Sequence, residues 1–303
     1  MLRLLLASAL LSSPFLLAQQ PEKVSQKSPE TTPGKTPAAS RLQDENPVWA
    51  STFDEAVKRA KSTPEGRVFV ELRDADCPEC VRMEKLIYPS ASFRSFMRDK
   101  VPVVVDRAGP EGQRLSKRFG IRRAPAWLVV TPDLLLAGRQ EGGSSQAAWM
   151  ESFVNSEKAW AEYRGKLDAE KKAPSDPAAA FAVGEEAFRR VGDAMAEERF
   201  RRVTADAKAS PQLREKSLAY LAAIALEAQR FDDAEKALKQ LLATTKDPAL
   251  LEQAELRLAD VEIGRGQKPK AIARLKTFLE KHPQSPMRKD AEALLEALSP
   301  SKK

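Results

Sequence analysis

Two cysteines and one histidine are the only thiol or imidazole metal ligands in 303 residues. Closing a tetrahedral zinc site takes four ligands, and His282 stands about 200 residues from the cysteines, so a zinc site is disfavoured. Aromatic residues are scarce, at 6%, and no block interleaves them with basic residues. That argues against a nucleic-acid surface built on base stacking. Acids and bases are interspersed, so the net charge of +7 reads as solvated helix faces with at most a weak pull toward anionic membranes or acidic partners. The apolar run at residues 1–18 is too short, and too interrupted by Ser12, Ser13 and Pro14, for a convincing membrane span.

What the chain does contain is the composition of a folded, helix-rich protein, 42% hydrophobic and 31% charged, long enough for two domains. Residues 1–18 have an early Arg3, an apolar core and a small residue at the end, the pattern of a secretory signal peptide. Cleavage is expected after Ala18, although Leu16 departs from the small-residue preference; a retained N-terminal anchor is the alternative. No cysteine lies near the cut, which excludes a lipoprotein anchor. The expected location is therefore periplasmic or secreted, where thiols meet oxidising conditions. Residues 19–46, rich in Pro, Ser, Thr and Lys, have little to bury and read as a disordered linker.

The two cysteines lie together in Cys77-Pro78-Glu79-Cys80, and the chain is organised around them. Residues 67–72 read as a buried strand, and apolar positions 81, 83, 86 and 87 form a helical stripe. The pair thus sits at a strand-to-helix junction, where unpaired N–H groups and the helix dipole favour a thiolate. Cys77 is the expected nucleophile. Cys80, one helical turn on, is the expected resolving thiol that expels a partner from a mixed disulfide. The plainer readings are an inert site or a structural disulfide, whose small loop would constrain the unfolded chain little.

Around this motif the spacing predicts a helix over 52–61, a further helical piece over 91–97 and a strand over 101–106. A helix over 113–119 ended by Gly120, strands over 126–130 and 134–138, and a helix from about Ser145 follow. Strands alternating with helices and closed by a hairpin imply a mixed sheet with helices on both faces. Residues 48–156 resemble a thioredoxin-fold domain, in the manner of exported thioredoxin-like proteins. The CPEC run occupies the redox motif. Glu71, six residues before Cys77, falls where the family has a buried acid that relays protons to the resolving thiol. Ala124-Pro125 falls at the family's cis-proline loop, which with Pro78 and Glu79 would face an extended substrate.

Each assignment has an ordinary counterpart. Glu71 could be a strand-end acid paired with Arg73 or Arg82, and Pro125 a trans proline opening a strand. The sequence also departs from the family. Asp76 replaces the usual aromatic before the first cysteine, Asp74 is close by, Glu79 lies between the cysteines, and the loop has no histidine. Anions there disfavour a Cys77 thiolate, opposed by Arg73 and Arg82. The expected pair is therefore relatively reducing, a reductase or isomerase.

After Pro174 and Pro177 nearly everything reads as helix: 178–190, 193–208, 211–228, 231–244, 248–264, 268–281 and 286–298. The run at 231–238 is echoed about 37 residues later at 268–275, with Ala234 and Ala271 opening the second helix of each hairpin. Residues 211–285 resemble tetratricopeptide repeats, with Ala222 and Ala259 at the small position of the first helix and Pro283 at the closing proline. Weak aromatic positions and a longer spacing are departures, and a generic bundle is the alternative. His282 reads as a helix-end surface residue.

The fold class expected is therefore an α/β thioredoxin-like domain followed by an all-α TPR-like helical-hairpin domain. Its segments are a signal peptide at 1–18, a linker at 19–46, the thioredoxin-like domain at 47–158, a helical linker at 159–177, the repeats at 178–298 and a tail at 299–303. The expected function is an exported thiol–disulfide oxidoreductase acting through Cys77 and Cys80, with repeats that recruit a client or partner protein. The expected cofactor is none beyond the Cys77–Cys80 disulfide, with no metal, although weak metal handling by the two thiolates is a third reading. The partners implied are protein clients with disulfides or thiols, an unidentified electron donor, and a protein in the repeat groove. A non-catalytic envelope adaptor is the alternative.

Overall fold

The structure, a computed structural model, describes residues 46–299. The expected signal peptide, all of the linker but Asn46, and residues 300–303 lie outside them. The described chain divides between Trp160 and Ala161 into two compact units.

The first unit is built on a four-stranded sheet of β1 (Arg67–Arg73), β2 (Lys100–Asp106), β3 (Ala126–Val130) and β4 (Leu136–Glu141), in the order β2-β1-β3-β4. β1 pairs parallel with β2 and antiparallel with β3, and β3 pairs antiparallel with β4. This is the thioredoxin-like arrangement the sequence resembles. The central strands are the apolar ones, as a strand covered on both faces must be: β3 is buried throughout and β1 up to its last residue. Pro102 sits in β2 at the edge, where its missing N–H is tolerated. Its carbonyl accepts the Ala50 N–H at 2.8 Å, which covers that edge.

Four helices precede β3 and β4: α1 (Phe53–Lys61), α2 (Pro78–Ile87), α3 (Ala91–Phe96) and α4 (Pro110–Phe119). Thr52 caps α1 by accepting the Glu55 N–H, and Ser90 caps α3 through Phe93 N–H. Period-two alternation sends Phe69 and Glu71 to one face of β1, and Val68, Val70 and Leu72 to the other. The Phe69 ring meets Trp49, Phe93, Phe96, Trp149 and Phe153 within 6.4 Å. On the opposite face Val68, Val70 and Leu72 are all fully buried, and α1, whose Phe53 lies against Arg114 of α4, packs on β1 and β2.

Two expected bounds shift. α4 begins at Pro110 rather than 113, because Pro110 suits a first helical turn, where its absent N–H costs nothing. β4 runs Leu136–Glu141 rather than 134–138, because Leu134 takes a left-handed conformation (φ 61°) and belongs to the hairpin turn.

Helix α5 (Gln146–Lys172) supplies residues to both units. In the first unit, Trp149 and Phe153 fill the aromatic core. In the second, Tyr163, within the stretch read as a helical linker, is fully buried and its hydroxyl donates to Met195 Sδ at 3.0 Å.

The second unit contains α6 (Pro177–Arg189), α7 (Asp193–Ala205), α8 (Pro211–Glu227), α9 (Phe231–Thr244), α10 (Pro248–Gly264), α11 (Lys268–Lys281) and α12 (Arg288–Leu298). Sequential helices pack antiparallel-hairpin fashion: α6 on α7, α8 on α9 and α10 on α11. The small residues lie where the helices meet: Ala222, Ala234, Ala259 and Ala271 are all buried. The three hairpins turn alike. Val191, Gln229 and Gly266 each take a left-handed conformation, at φ 61°, 57° and 73°. The next N–H in each bonds back at 2.8 Å, Gly192 to Ala187 O, Arg230 to Ala225 O and Gln267 to Glu262 O. That is the Schellman ending. The α6–α7 hairpin is thus a third unit of the same design.

His282 departs from the expected surface residue. It ends α11 half-buried, with Nε2 2.8 Å from Glu255 Oε2 and its ring against Phe278, tying α11 to α10. Among the described residues no helix is long and apolar enough to cross a membrane.

The shared turn gives a paired prediction. A left-handed backbone costs a residue with a Cβ about 1–2 kcal/mol, and glycine avoids that cost. Gln229 is exposed, and an added Cβ at Gly266 would meet nothing within 4 Å. Gln229→Gly should raise, and Gly266→Ala should lower, the unfolding free energy by about 1 kcal/mol each, read as opposite shifts of the urea midpoint followed by far-UV circular dichroism.

Candidate active site

The candidate site forms where β1 hands over to α2. Cys77 is the N-cap of α2: its sulfur accepts the Cys80 N–H at 3.1 Å, and Pro78 occupies the first helical turn. Cys77 and Cys80 are disulfide-bonded, with Cα atoms 5.2 Å apart. The two sulfurs are unequal in access. Cys80 is fully buried on the core side of α2 with Met83 and Ile87, whereas Cys77 is half-buried. An external partner would therefore meet Cys77 first, as attack by one thiol and resolution by the other requires.

The charges around the motif are paired differently from the expectation. Glu79 is clasped by Arg82 through two hydrogen bonds, at 2.7 and 2.6 Å. Arg73 turns instead to Glu84. Asp74 is held by Arg107, at 2.7 and 2.9 Å, a residue just past β2 and 33 positions away. Asp76 is exposed, with no charged partner among the described residues. Much of the anionic character attributed to this loop is thus neutralised, which removes most of the argument for an unusually reducing pair.

Glu71 lies in the middle of the central strand and is fully exposed to none of the solvent, at 0% accessibility. The Tyr88 hydroxyl, at the end of α2, donates to Oε2, and itself accepts the Trp127 Nε1–H at 3.1 Å. The other carboxylate oxygen, Oε1, has no hydrogen-bond partner. Arg73 Nη1 stands 4.0 Å from it, a long ion pair without a hydrogen bond, whereas Arg82 is engaged by Glu79, so of the two expected pairs only the one with Arg73 forms. Burial pushes the carboxyl up to about 7, helped by Glu84 and opposed by the Tyr88 hydrogen bond and by Arg73. A group balanced there can carry a proton at neutral pH.

The Ala124–Pro125 peptide is cis, with Pro125 buried and Ala124 half-buried. Glu141, at the end of β4, accepts the N–H groups of Arg122 and Arg123 at 3.0 Å each, and Pro125 O accepts the Gly142 N–H at 2.8 Å. Gly143 lies against the redox motif: a Cβ there would come within 1.5 Å of Glu79 Oε1. The loop after β4 therefore touches the proline loop through Gly142 and the cysteine motif through Gly143, and brings the two together. Pro78 is exposed and Glu79 half-buried beside them.

Sequence reasoning missed Tyr88, Trp127, Arg107, Glu141 and the Gly142-Gly143 pair. Only the paired glycines after a strand carried a local signal. Among the described residues no cluster of three or more His, Cys, Asp or Glu could hold a metal.

A tetratricopeptide repeat family model matches residues 253–285, which hold most of α10 and all of α11. A solved thioredoxin from Thermus thermophilus is similar over 37% of this chain and 87% of its own, with 21% identity and a TM-score of 0.33. A structure described as DsbH oxidoreductase is similar over 41% of this chain and 94% of its own, with 19% identity and a TM-score of 0.31. No curated protein matches the chain. By strand order, register and the matched repeat, the chain is a thioredoxin-like domain followed by tetratricopeptide-like repeats.

Burial of Glu71 has a consequence for stability. Its folded pKa, about 7, lies above the unfolded value, so folding favours the protonated form. Stability from this group is complete below the unfolded value and is lost as pH rises through about 7. Glu71→Gln cannot ionise and keeps an acceptor for Tyr88. Its thermal stability relative to the parent should rise between about pH 5 and pH 8, toward a gain on the order of 3 kcal/mol.

Proposed function

We propose that this protein is an exported thiol–disulfide oxidoreductase of protein substrates, whose helical repeats bring a client or partner to Cys77. The observation that carries the reading is the asymmetry of the cysteine pair, an accessible sulfur at a helix N-terminus bonded to a buried one, with a cis-proline loop drawn alongside. In the reductive direction the Cys77 thiolate attacks one sulfur of a client disulfide, forming a mixed disulfide and expelling one client thiolate. Cys80 then loses its proton to Glu71 and attacks Cys77 Sγ, expelling the second client thiolate. The Cys77–Cys80 bond forms, the client disulfide is reduced by two electrons, and both client thiolates take up protons. A dithiol or equivalent donor restores the pair. Pro78, Glu79, Ala124 and Pro125 would line the path of the client chain.

Export rests on the pattern of residues 1–18. Direction toward reduction or isomerisation is supported by the absence of a histidine between the cysteines and by unpaired Asp76. Client capture is supported by a groove of about 310 Å³ between α7 and α9, floored by Leu218 and Leu221 of α8 and rimmed by Arg201, Asp233 and Lys236.

A Cys80→Ser variant should accumulate mixed disulfides with client proteins that dithiothreitol releases, while Cys77→Ser should form none. Absence of adducts in Cys80→Ser, with no insulin reduction by the parent protein, overturns the catalytic reading and leaves a binding protein.

A further inference from the structure

The redox reading leaves the half-buried Tyr88 unexplained. Cys80, Glu84 and Tyr88 stand four residues apart along α2, so they form one stripe down a single helix face. That stripe faces β1: Tyr88 touches Glu71, and Glu84 touches Arg73. Tyr88 is two turns from Cys80, about 12 Å along the axis, and binds Glu71 from the far end of the stripe. It takes Oε2. The other oxygen, Oε1, has no hydrogen bond and lies 4.0 Å from Arg73 Nη1. Tyr88 thus holds one carboxylate oxygen and leaves the other without a hydrogen bond on the strand that the Cys80 stripe faces.

Tyr88 is itself held in place. Its ring stacks on Phe93 with centroids 4.6 Å apart, and Trp49 lies 5.3 Å from it. Trp127 pairs with Glu71 across β1 and β3, and donates its indole N–H to the Tyr88 oxygen. Accepting that bond makes the phenol a better donor to Glu71. Burial and the neighbouring Glu71 raise the phenol well above its ordinary acidity range, so Tyr88 stays protonated and keeps donating at every pH of interest. The remaining groups facing Glu71 are Arg73 on its own strand and Glu84 on α2, while β2 pairs Val104 with it.

We propose that Tyr88, backed by Trp127, is a positioning residue for proton transfer: it fixes the Glu71 carboxyl so that Oε1 exchanges the proton with Cys80. The proposal rests on the redox reading of the cysteine pair. The step is balanced. Cys80 S–H gives its proton to Oε1 and its electron pair to the new bond with Cys77, and the departing group leaves as a thiolate. Glu71 must be ionised for this, and the Tyr88 bond favours the ionised form.

The test uses the reduced full chain and 5,5′-dithiobis(2-nitrobenzoate) in stopped flow. Cys77 attacks the reagent and releases one thionitrobenzoate; Cys80 then displaces the second from Cys77. The first phase reports Cys77, and the second reports resolution. In the parent, the second phase should rise with pH through about 7, and Glu71→Gln should abolish that inflection. In Tyr88→Phe the inflection should move up by about one pH unit, with a roughly tenfold slower second phase below it. Trp127→Phe should move it the same way by less. A slower second phase whose inflection stays in place marks a merely structural role and overturns the proposal. Should Tyr88→Phe fail to fold, an unmoved inflection in Trp127→Phe does the same. Loss of the first phase in the parent overturns the redox reading instead.

Discussion

A carboxyl group in the middle of a strand covered on both faces must be given a partner or be neutral. Glu71 is in that position, and its neighbourhood is arranged around it. A tyrosine ends the adjacent helix, a tryptophan in the next strand supports the tyrosine, and one carboxylate oxygen is left bare. Leaving a buried acceptor unbonded costs about 1–3 kcal/mol, a cost that an apolar residue at position 71 would avoid. Arg73 and Glu84 are near enough to bias the carboxyl, yet neither saturates it. The site thus holds an acid at the balance between its two forms, next to the helix that carries the thiols.

The cysteine motif shows a related economy. A helix start leaves N–H groups without partners, and most helices meet this with Ser, Thr, Asp or Asn. Here sulfur takes the role, so the residue that caps α2 is also the less buried of the two cysteines. The surrounding ion pairs, Asp74 with Arg107 and Glu79 with Arg82, tie down the acids that would otherwise repel a thiolate. Gly143 completes the arrangement by letting backbone approach Glu79 where no side chain fits.

What the sequence revealed is what local pattern can encode. Residues 126–130 read as a strand and are one, and α9, α10 and α11 fall at the bounds their periodicity implied, because each is bracketed by a turn or proline. Glu71, six residues before Cys77, and Pro125, just before the third strand, were found through the resemblance to the thioredoxin fold. Arg107 and Trp127 were not, because their partners are 33 and 39 residues away and become neighbours only once the sheet forms. The α6–α7 hairpin was legible as a helical pair, but not the turn it shares with the others. Its turn uses Val191 where the last hairpin uses Gly266, so the shared backbone has no shared residue. β4 was misplaced because Leu134 reads as a strand residue but adopts a turn conformation.

All four tryptophans fall between positions 49 and 160, and one of them, Trp127, is bonded to the tyrosine that bonds Glu71. Gain or loss of a proton on that carboxyl alters the field at an indole ring two hydrogen bonds away. The protein therefore carries its own optical gauge: ultraviolet emission that registers the ionisation of the buried acid without any attached dye.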